Sequence, residues 1–122
     1  MANDKQILGQ QGETAAISFL KARGFTILEI NYQTKPAEID IIAKDNNCIC
    51  FIEVKTRRSI KKGLPRESVN YSKQKKIITG ALFYLKEKQL FNSRIRFDVV
   101  EVLEKDGDFC INLIQHAFQA DC

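Results

Sequence analysis

The apolar residues of the chain recur with two different periods, which predict two helices and five strands. Near-helical spacing predicts helices over residues 7–23 and 68–88. Alternating or continuous apolar runs, bounded by polar turns, predict strands over residues 25–30, 39–43, 48–55, 94–103 and 109–114. This order predicts an α/β fold, a central mixed β-sheet of about five strands flanked by helices.

Glycines and polar residues mark the ends of these elements. Gly24 ends the first helix, and residues 44–47 suit a hairpin turn between the second and third strands. Asp106-Gly107 predicts another hairpin between the last two strands. Gly80 weakens the second helix and indicates close packing of that helix on the sheet.

Charged residues interrupt the two strands that look most buried. The second and third predicted strands are apolar on both faces, as expected of strands covered on two sides. With a period of two, Glu38 and Asp40 share one face, and Glu53 and Lys55 share one face of the next strand. A buried charge is unfavourable without a partner, so charged residues at these positions indicate a partner or a function. Pairing of the two strands as a hairpin would bring the four charged side chains together.

Composition bounds the class of protein. The chain has 122 residues, which predicts one domain over residues 1–122, and 44% of them are hydrophobic, which argues against disorder. The 19 basic and 15 acidic residues give a net charge of +4. That excess mildly favours a polyanionic partner, although ordinary solubilising charge explains it equally well.

The rest of the composition concerns compartment and metal. No long apolar run follows the N-terminus, so we expect a cytoplasmic protein without a signal peptide or membrane span. The 4 cysteines lack a zinc-ligand spacing, which predicts reduced thiols. His116 is the only histidine and stands apart from any nucleophile, which argues against a catalytic triad.

Basic residues are concentrated after the third predicted strand. Residues 56–66 contain basic side chains and no acidic one, and lysines lie in the first turns of the second helix. Phosphate binding is one interpretation and a solvated polar surface is the other. The residues concerned are Arg57, Arg58, Lys61, Lys62, Arg66, Lys73 and Lys76.

The acidic residues suit two different roles. Carboxylates gathered at a strand edge are hard oxygen ligands for Mg²⁺ or Mn²⁺, and a lysine beside them can stabilise charge on phosphorus. Such a group supports metal-assisted hydrolysis of a phosphodiester. The alternative is a salt bridge with edge charges that discourage aggregation, and spacing alone leaves both open. On pattern alone Glu13 is a solvent-facing helix residue, and Asp98 is expected to pair with Arg94 or Arg96.

These residues also carry a resemblance to a known family. Glu38-Ile39-Asp40, followed by Phe51-Ile52-Glu53-Val54-Lys55, resembles the acidic and Glu-x-Lys motifs of the PD-(D/E)XK nuclease superfamily. More closely, the chain resembles the bacterial YraN-like family of endonuclease-like proteins, which is similar to Holliday-junction resolvases. Matching segments lie at residues 9–16, 27–32, 38–43, 53–57, 63–65 and 96–100. The chain departs from the family where Pro36-Ala37 stands before Glu38, a point at which glycine is usual.

The resemblance implies a restriction-endonuclease-like core and a role for each motif residue. Asp40 and Glu53 would bind the metal, with Glu13 as a further acid that holds it directly or through water. Lys55 would position the attacking water or steady the pentavalent phosphorus. The implied catalytic residues are Glu13, Asp40, Glu53 and Lys55, and the auxiliary ones are Glu38 and Gln74.

On this resemblance we expect a Mg²⁺- or Mn²⁺-dependent endonuclease that acts on DNA rather than RNA, with branched or irregular DNA as its substrate. Phosphate contacts by the basic residues would make binding weaken as salt rises. Resolvase-like enzymes that cut two strands act as dimers, so a homodimer is an expectation. Two alternatives stay open: a non-catalytic or partner-dependent nucleic-acid-binding protein that retains the nuclease fold, and an adaptor whose acids form only a salt-bridge network.

Overall fold

The structure is a computed structural model that describes residues 3–58 and 69–120 of the chain. These residues form helices and strands in the predicted order. Each of the five strands extends past at least one of its predicted ends, because pairing with a neighbour extends a strand past its apolar pattern. The elements are α1 (Asp4–Ala22), β1 (Thr26–Gln33), β2 (Glu38–Asp45), β3 (Cys48–Arg58), α2 (Tyr71–Glu87), β4 (Arg94–Lys105) and β5 (Asp108–Phe118).

The sheet is mixed, as the sequence predicts. Its strand order is β1-β2-β3-β4-β5 in the part of the chain that the structure describes. Neighbouring strands are antiparallel except β3 and β4, which are parallel. Parallel neighbours need a crossover connection, and α2 lies in the connection between β3 and β4.

The helices cover opposite faces of the sheet. On β3, Ile49 and Phe51 pack in the apolar cluster that contains residues of α2, whereas Cys50 and Ile52 pack in the cluster that contains residues of α1. Successive strand residues point to opposite faces, so each cluster is a separate layer of the core. This burial from both sides explains why β2 and β3 are apolar on both faces.

Local signals fix the ends of the elements. Asn3 caps α1, and its side chain accepts a hydrogen bond from the Gln6 N–H at 2.8 Å. Gly24 follows α1 with φ of 91°, in the left-handed region where glycine meets no steric penalty. Asp106 and Gly107, with φ of 53° and 84°, form the predicted hairpin turn.

Gly80 and the cysteines also behave as the sequence indicates. A Cβ built on Gly80 would lie 3.2 Å from Cδ1 of Ile39, so α2 packs closely on β2 at this point. Cys48, Cys50 and Cys110 are free thiols, and Cys122 lies outside the described residues. Among residues 3–58 and 69–120, no helix is both long and apolar enough to cross a membrane.

Candidate active site

The acidic residues of β2 and β3 lie where these two strands separate. The register between the strands is regular from the hairpin as far as Ile41, which is opposite Ile52. The next residue toward the start of β2 is Asp40, whose Oδ2 accepts a hydrogen bond from the Val54 N–H at 2.8 Å. In a regular antiparallel ladder the Val54 N–H would donate to a backbone carbonyl oxygen of the neighbouring strand. Here it donates to the side-chain carboxylate of Asp40.

The alternation of faces along β2 breaks at Asp40. Ile39 packs on the α2 side of the sheet, yet Ile41 packs on the α1 side, although residues two apart in a regular strand share a face. The period of two is therefore interrupted between Ile39 and Ile41, and Asp40 lies at the interruption. Glu38 is exposed and accepts a hydrogen bond from Nε2 of Gln33 at 3.3 Å, whereas Asp40 is partly buried.

Glu53 is the most buried of the predicted acids, with 5% of its side chain exposed. It follows Phe51 on the α2 side of β3. Its Oε1 forms an ion pair with Nζ of Lys73, which lies in the first turn of α2. Asn70 caps this helix, and its Oδ1 accepts a hydrogen bond from the Lys73 N–H at 2.8 Å.

Glu13 reaches the same region from α1. A Cβ built on Gly12 would overlap the side chain of Thr56 on β3, so only glycine permits this approach of helix to strand. The next residue, Glu13, accepts a hydrogen bond from the side chain of Asn31. Burial raises the pKa of Glu13, and the negative charge of Glu38 raises it further. The hydrogen bond from Asn31 lowers this pKa but does not cancel the rise. Glu13 is therefore half-buried rather than fully exposed.

Asp40 is next to the other two carboxylates. Burial raises its pKa from 3.8 to about 7, and the charges of Glu53 and Glu13 add to the rise. The Val54 N–H and the Lys73 ammonium oppose it. We call Glu13, Asp40, Glu53 and Lys73 the Asp40 group. Three carboxylates share one ammonium in this group, so negative charge is in excess.

A groove of about 680 Å³ gives access to this group from the α1 side. Glu13 and Asp40 both line it, together with Val54 and Thr56 of β3 and Gln10 of α1. Lys5 of α1 also lines the groove, so the carboxylates of Glu13 and Asp40 and one ammonium face a space that a ligand can enter.

Lys55 and Gln74 lie beside the Asp40 group. Lys55 is two residues beyond Glu53 on the same face of β3, half-buried, and Glu101 of β4 is its partner in the strand register. Nε2 of Gln74 donates a hydrogen bond to the carbonyl oxygen of Val69 at 2.7 Å. Gln74 thus holds the segment that leads into α2.

The basic residues occupy several environments. Nη1 of Arg58 lies 4.0 Å from Oε2 of Glu104, Arg57 is partly buried near the end of β3, and Lys76 is exposed on α2. Lys73, one of the lysines for which the sequence offers a phosphate contact, forms an ion pair with the buried carboxylate of Glu53. Three of the predicted phosphate-binding residues lie outside the described residues, namely Lys61, Lys62 and Arg66.

The chemistry of the Asp40 group suits a hard cation. Carboxylate oxygens are the protein ligands that Mg²⁺ and Mn²⁺ prefer. In the described part of the chain no three His, Cys, Asp or Glu side chains are arranged to hold a metal ion, and the ammonium of Lys73 is the cation beside Glu53. The carboxylates are thus of the chemical type that a divalent ion prefers, but the three of them are not positioned around one ion in this structure, and the ammonium of Lys73 supplies the positive charge beside Glu53.

Two polar contacts of the site escaped the sequence-based interpretation. Asn31 was not assigned a role, and its φ of 53° could not be foreseen from an extended segment. The pairing of Lys73 with Glu53 had one available signal, because a lysine in the first turn of a helix is on the unfavourable side of the helix dipole. Such a lysine indicates a nearby anion, which here is a carboxylate of the protein.

A second buried charged group lies elsewhere on the sheet. Nε of Arg96 donates to both carboxylate oxygens of Asp98 at 2.9 Å, and Nη2 of Arg96 donates to Asp45 at 3.1 Å. The His116 N–H donates to Asp98 at 3.1 Å. We call Asp45, Arg96 and Asp98 the Arg96 group. The predicted pairing of Asp98 with a neighbouring arginine is confirmed.

Fold and site together define a class: α/β proteins in which helices cover both faces of a mixed sheet and carboxylates gather where two central strands part. Within this class, the chain belongs to the UPF0102 family, since the model of "Uncharacterised protein family UPF0102" matches residues 12–102. A UPF0102 protein of Desulforapulum autotrophicum is 52% identical to this chain, in an alignment that covers 99% of this chain and 100% of the relative. A UPF0102 protein of Desulfosudis oleivorans is 48% identical, in an alignment that covers 99% of this chain and 97% of the relative. The YraN-like family expected from the sequence is confirmed.

A more distant relative and a solved structure complete the comparison. A UPF0102 protein of Caldicellulosiruptor saccharolyticus is 44% identical over 94% of this chain and 99% of its own length. A crystal structure of SSO0001 aligns with a TM-score of 0.41 and 22% identity, over 95% of this chain and 54% of that chain. The present chain thus spans about half the length of that structure. The names of the relatives state their family and no activity.

Proposed function

We propose that this protein is a metal-dependent endonuclease that hydrolyses phosphodiester bonds of DNA, with branched or otherwise irregular DNA as its substrate. The observation that carries the proposal is the gathering of acids from three elements around Asp40: Glu13 and Asp40 line one groove, and the charges of Glu13 and Glu53 both act on Asp40. Gathering like charges in a partly buried place is unfavourable for folding. The grouping therefore supports a function that uses the charges.

Each residue of the site has a role in the proposed reaction. Asp40 and Glu53 would bind a divalent ion, with Glu13 as a further acid that holds it directly or through water, and the ion when bound would polarise the phosphate and lower the pKa of its water. Lys55, on the same face of β3 as Glu53, would position the attacking water or balance charge that develops on phosphorus. Asn31 would keep the carboxylate of Glu13 directed toward the groove through its hydrogen bond.

The basic residues would hold the DNA on either side of the acids. Arg57 and Arg58 end β3, the strand that carries Glu53, and Lys76 follows Lys73 on α2. Phosphate contacts from these positions would fix the position of the duplex without reading its sequence. The proposed set is completed by the residues that lie outside the described ranges, Lys61, Lys62 and Arg66.

A cleavage assay tests the proposal. Purified protein is incubated with Mg²⁺ or Mn²⁺ and with duplex, single-stranded, flap and four-way DNA, and we expect cleavage of the branched forms that a chelator abolishes. Asp40→Asn and Lys55→Ala should each lower the rate by about a hundredfold or more. Asp108→Asn removes an exposed carboxylate at the start of β5 and should leave the rate unchanged.

Two results would count against the proposal. One is the absence of cleavage of all four DNA forms with either metal. The other is cleavage by Asp40→Asn or Lys55→Ala at the rate of the parent protein.

A second candidate is a nucleic-acid-binding protein that retains the fold without turnover or needs a partner for it. The ion pair between Glu53 and Lys73 favours this candidate, because it satisfies a buried acid without a metal. This candidate predicts binding that weakens with salt, is unaffected by chelator and leads to no cleavage. Gel-shift titrations with and without chelator, run beside the cleavage assay, separate the two candidates.

A further inference from the structure

We propose that Lys73 is the counter-cation of the acidic site and competes with a divalent metal ion for Glu53, so that Lys73 sets the metal concentration at which the site fills. The inference rests on the proposed function, because it takes the acids to be metal ligands. It adds a residue outside the sequence motif that controls their affinity.

The burial of Glu53 is the first reason. Only 5% of its side chain is exposed, and a buried ionised carboxylate needs a compensating charge or strong hydrogen bonds. Among the salt bridges of the described residues, the partner of Glu53 is Lys73. Some cation must therefore be beside Glu53 whether or not a metal is bound.

The position of Lys73 on α2 is the second reason. The first turn of a helix is the positive end of its dipole, where a lysine is unfavourable, and the first turn of α2 contains no acidic residue. The Asn70 cap fixes the backbone of Lys73 at that place. The helix itself gives no reason for a positive charge there, whereas Glu53 does.

The mobility available to the two partners is the third reason. The side chain of Lys73 is 44% exposed, so its flexible stem can carry the ammonium into solvent, while Glu53 is held in the sheet. A divalent ion would bring two positive charges to carboxylates that now share one. Lys73 can therefore leave Glu53 when a stronger cation arrives, and it re-forms the pair when that cation leaves.

Mn²⁺ binding to the DNA-free protein tests the inference without any measurement of activity. Wild type, Lys73→Met and Lys76→Met are titrated with MnCl₂ and free Mn²⁺ is followed by electron paramagnetic resonance. We expect Lys73→Met to bind Mn²⁺ roughly tenfold more tightly than wild type. Lys76→Met removes an equal charge from the same helix and should change the affinity less than about twofold.

Thermal unfolding gives an independent readout. Without metal, Lys73→Met should unfold about 5 °C or more below wild type, because Glu53 loses its partner. Saturating Mn²⁺ should close most of this gap, since the metal then replaces the ammonium. A lysine with a purely structural role would leave the gap unchanged. If Lys73→Met does not fold, Lys73→Gln, which can still donate a hydrogen bond to Glu53, serves the same comparison.

The outcomes separate this inference from the proposed function. Mn²⁺ binding by wild type with equal or weaker binding by Lys73→Met overturns the inference and leaves the metal site standing. Binding by Lys73→Met alone supports the inference strongly. Absence of binding by both proteins overturns the inference and the metal-dependent function together.

Discussion

The Arg96 group and the Asp40 group are two sets of buried charges on one sheet, and they are balanced differently. In the Arg96 group the guanidinium of Arg96 bonds both Asp98 and Asp45, and a backbone N–H completes the shell of Asp98. In the Asp40 group one ammonium contacts Glu53, and Asp40 has a single backbone bond. The charges of the Arg96 group are therefore paired in a hydrogen-bonded network, whereas the Asp40 group carries more negative than positive charge.

Hydrogen bonding alone does not distinguish the two groups. In the part of the chain that the structure describes, no buried side-chain nitrogen or oxygen lacks a hydrogen-bond partner. Burial also raises the pKa of both central aspartates, Asp40 and Asp98. The two aspartates differ in the charges around them. The guanidinium of Arg96 lowers the pKa of Asp98 and so opposes the effect of burial. The carboxylates of Glu53 and Glu13 raise the pKa of Asp40 and so add to the effect of burial. The lesson is that charge excess, rather than buried charge as such, marks the candidate site.

The largest effect is expected from breaking the Arg96 group. Arg96→Met leaves the fully buried Asp98 without its partner and should lower the free energy of unfolding by about 3–5 kcal/mol. Urea denaturation measures it. Arg94→Met, an exposed position two residues earlier on β4, should change stability by less than about 0.5 kcal/mol. Equally small effects of the two variants would show that the Arg96 group does not stabilise the fold.

The Asp40 group should make the stability of the protein depend on pH. Asp40 has its pKa raised from 3.8 to about 7, so the folded protein keeps a proton that the unfolded chain has lost. The contribution of Asp40 to stability is thus fully present below about pH 4 and is lost as pH rises to about 7. Asp40→Asn can still accept the Val54 bond, and at about pH 8 it should be more stable than the parent by about 2 kcal/mol.

Urea denaturation of both proteins across this pH range checks the prediction. The difference between parent and Asp40→Asn isolates this one group from the others that titrate. Asp108→Asn, which changes an exposed carboxylate, serves as the control and should show no such difference. A parent that is more stable than Asp40→Asn throughout the range would mean that Asp40 is compensated as fully as Asp98.

Most of the fold could be predicted because the apolar periods follow from burial on one or both faces. β2 and β3 read as continuous apolar runs because helices cover them on both sides, and the α2 crossover makes the sheet mixed. The ends of strands were less predictable. β5 continues to Phe118 through a segment without a clear pattern, since pairing with β4 stabilises it.

The identity of the acids could be predicted, but their arrangement could not. A period of two predicts Ile39 and Ile41 on one face of β2, yet they pack on opposite sides of the sheet, and the pairing of β2 with β3 ends beside Asp40. The pairing of Glu53 with Lys73 depends on where the crossover helix lands, which no local pattern encodes. Glu13 reaches the groove through a close contact at Gly12 that requires knowledge of the tertiary packing.

The close contact at Gly12 also sets how near α1 lies to the Asp40 group. A Cβ at Gly12 would overlap Thr56, so Gly12→Ala should push α1 from β3 and lower the free energy of unfolding by about 1–3 kcal/mol. Gly9→Ala, on the same helix with open space around it, should stabilise the protein by up to about 1 kcal/mol. If Glu13 is a metal ligand, Gly12→Ala should also lose part of the stabilisation that Mn²⁺ gives, and Gly9→Ala should keep it. Calorimetry with and without Mn²⁺ measures both effects.

Opposite signs for the two glycines are the essential result. If Gly12→Ala stabilises the protein as Gly9→Ala does, then α1 does not need its close approach, and the contribution of Glu13 to the Asp40 group would have to be abandoned.

The smallest effect concerns the exposed lysines near the Asp40 group. Lys76 lies three residues after Lys73 on α2, so a phosphate beside the acidic site is within its reach if DNA binds there. Lys76→Ala should weaken DNA binding similarly for all sequences and reduce the slope of log affinity against log salt by about 1. Lys86→Ala, which removes an exposed lysine from the last turn of the same helix, should leave the slope unchanged. Fluorescence anisotropy at several salt concentrations measures the slopes, and equal slopes for the two variants would mean that DNA does not bind at the end of α2 beside the Asp40 group.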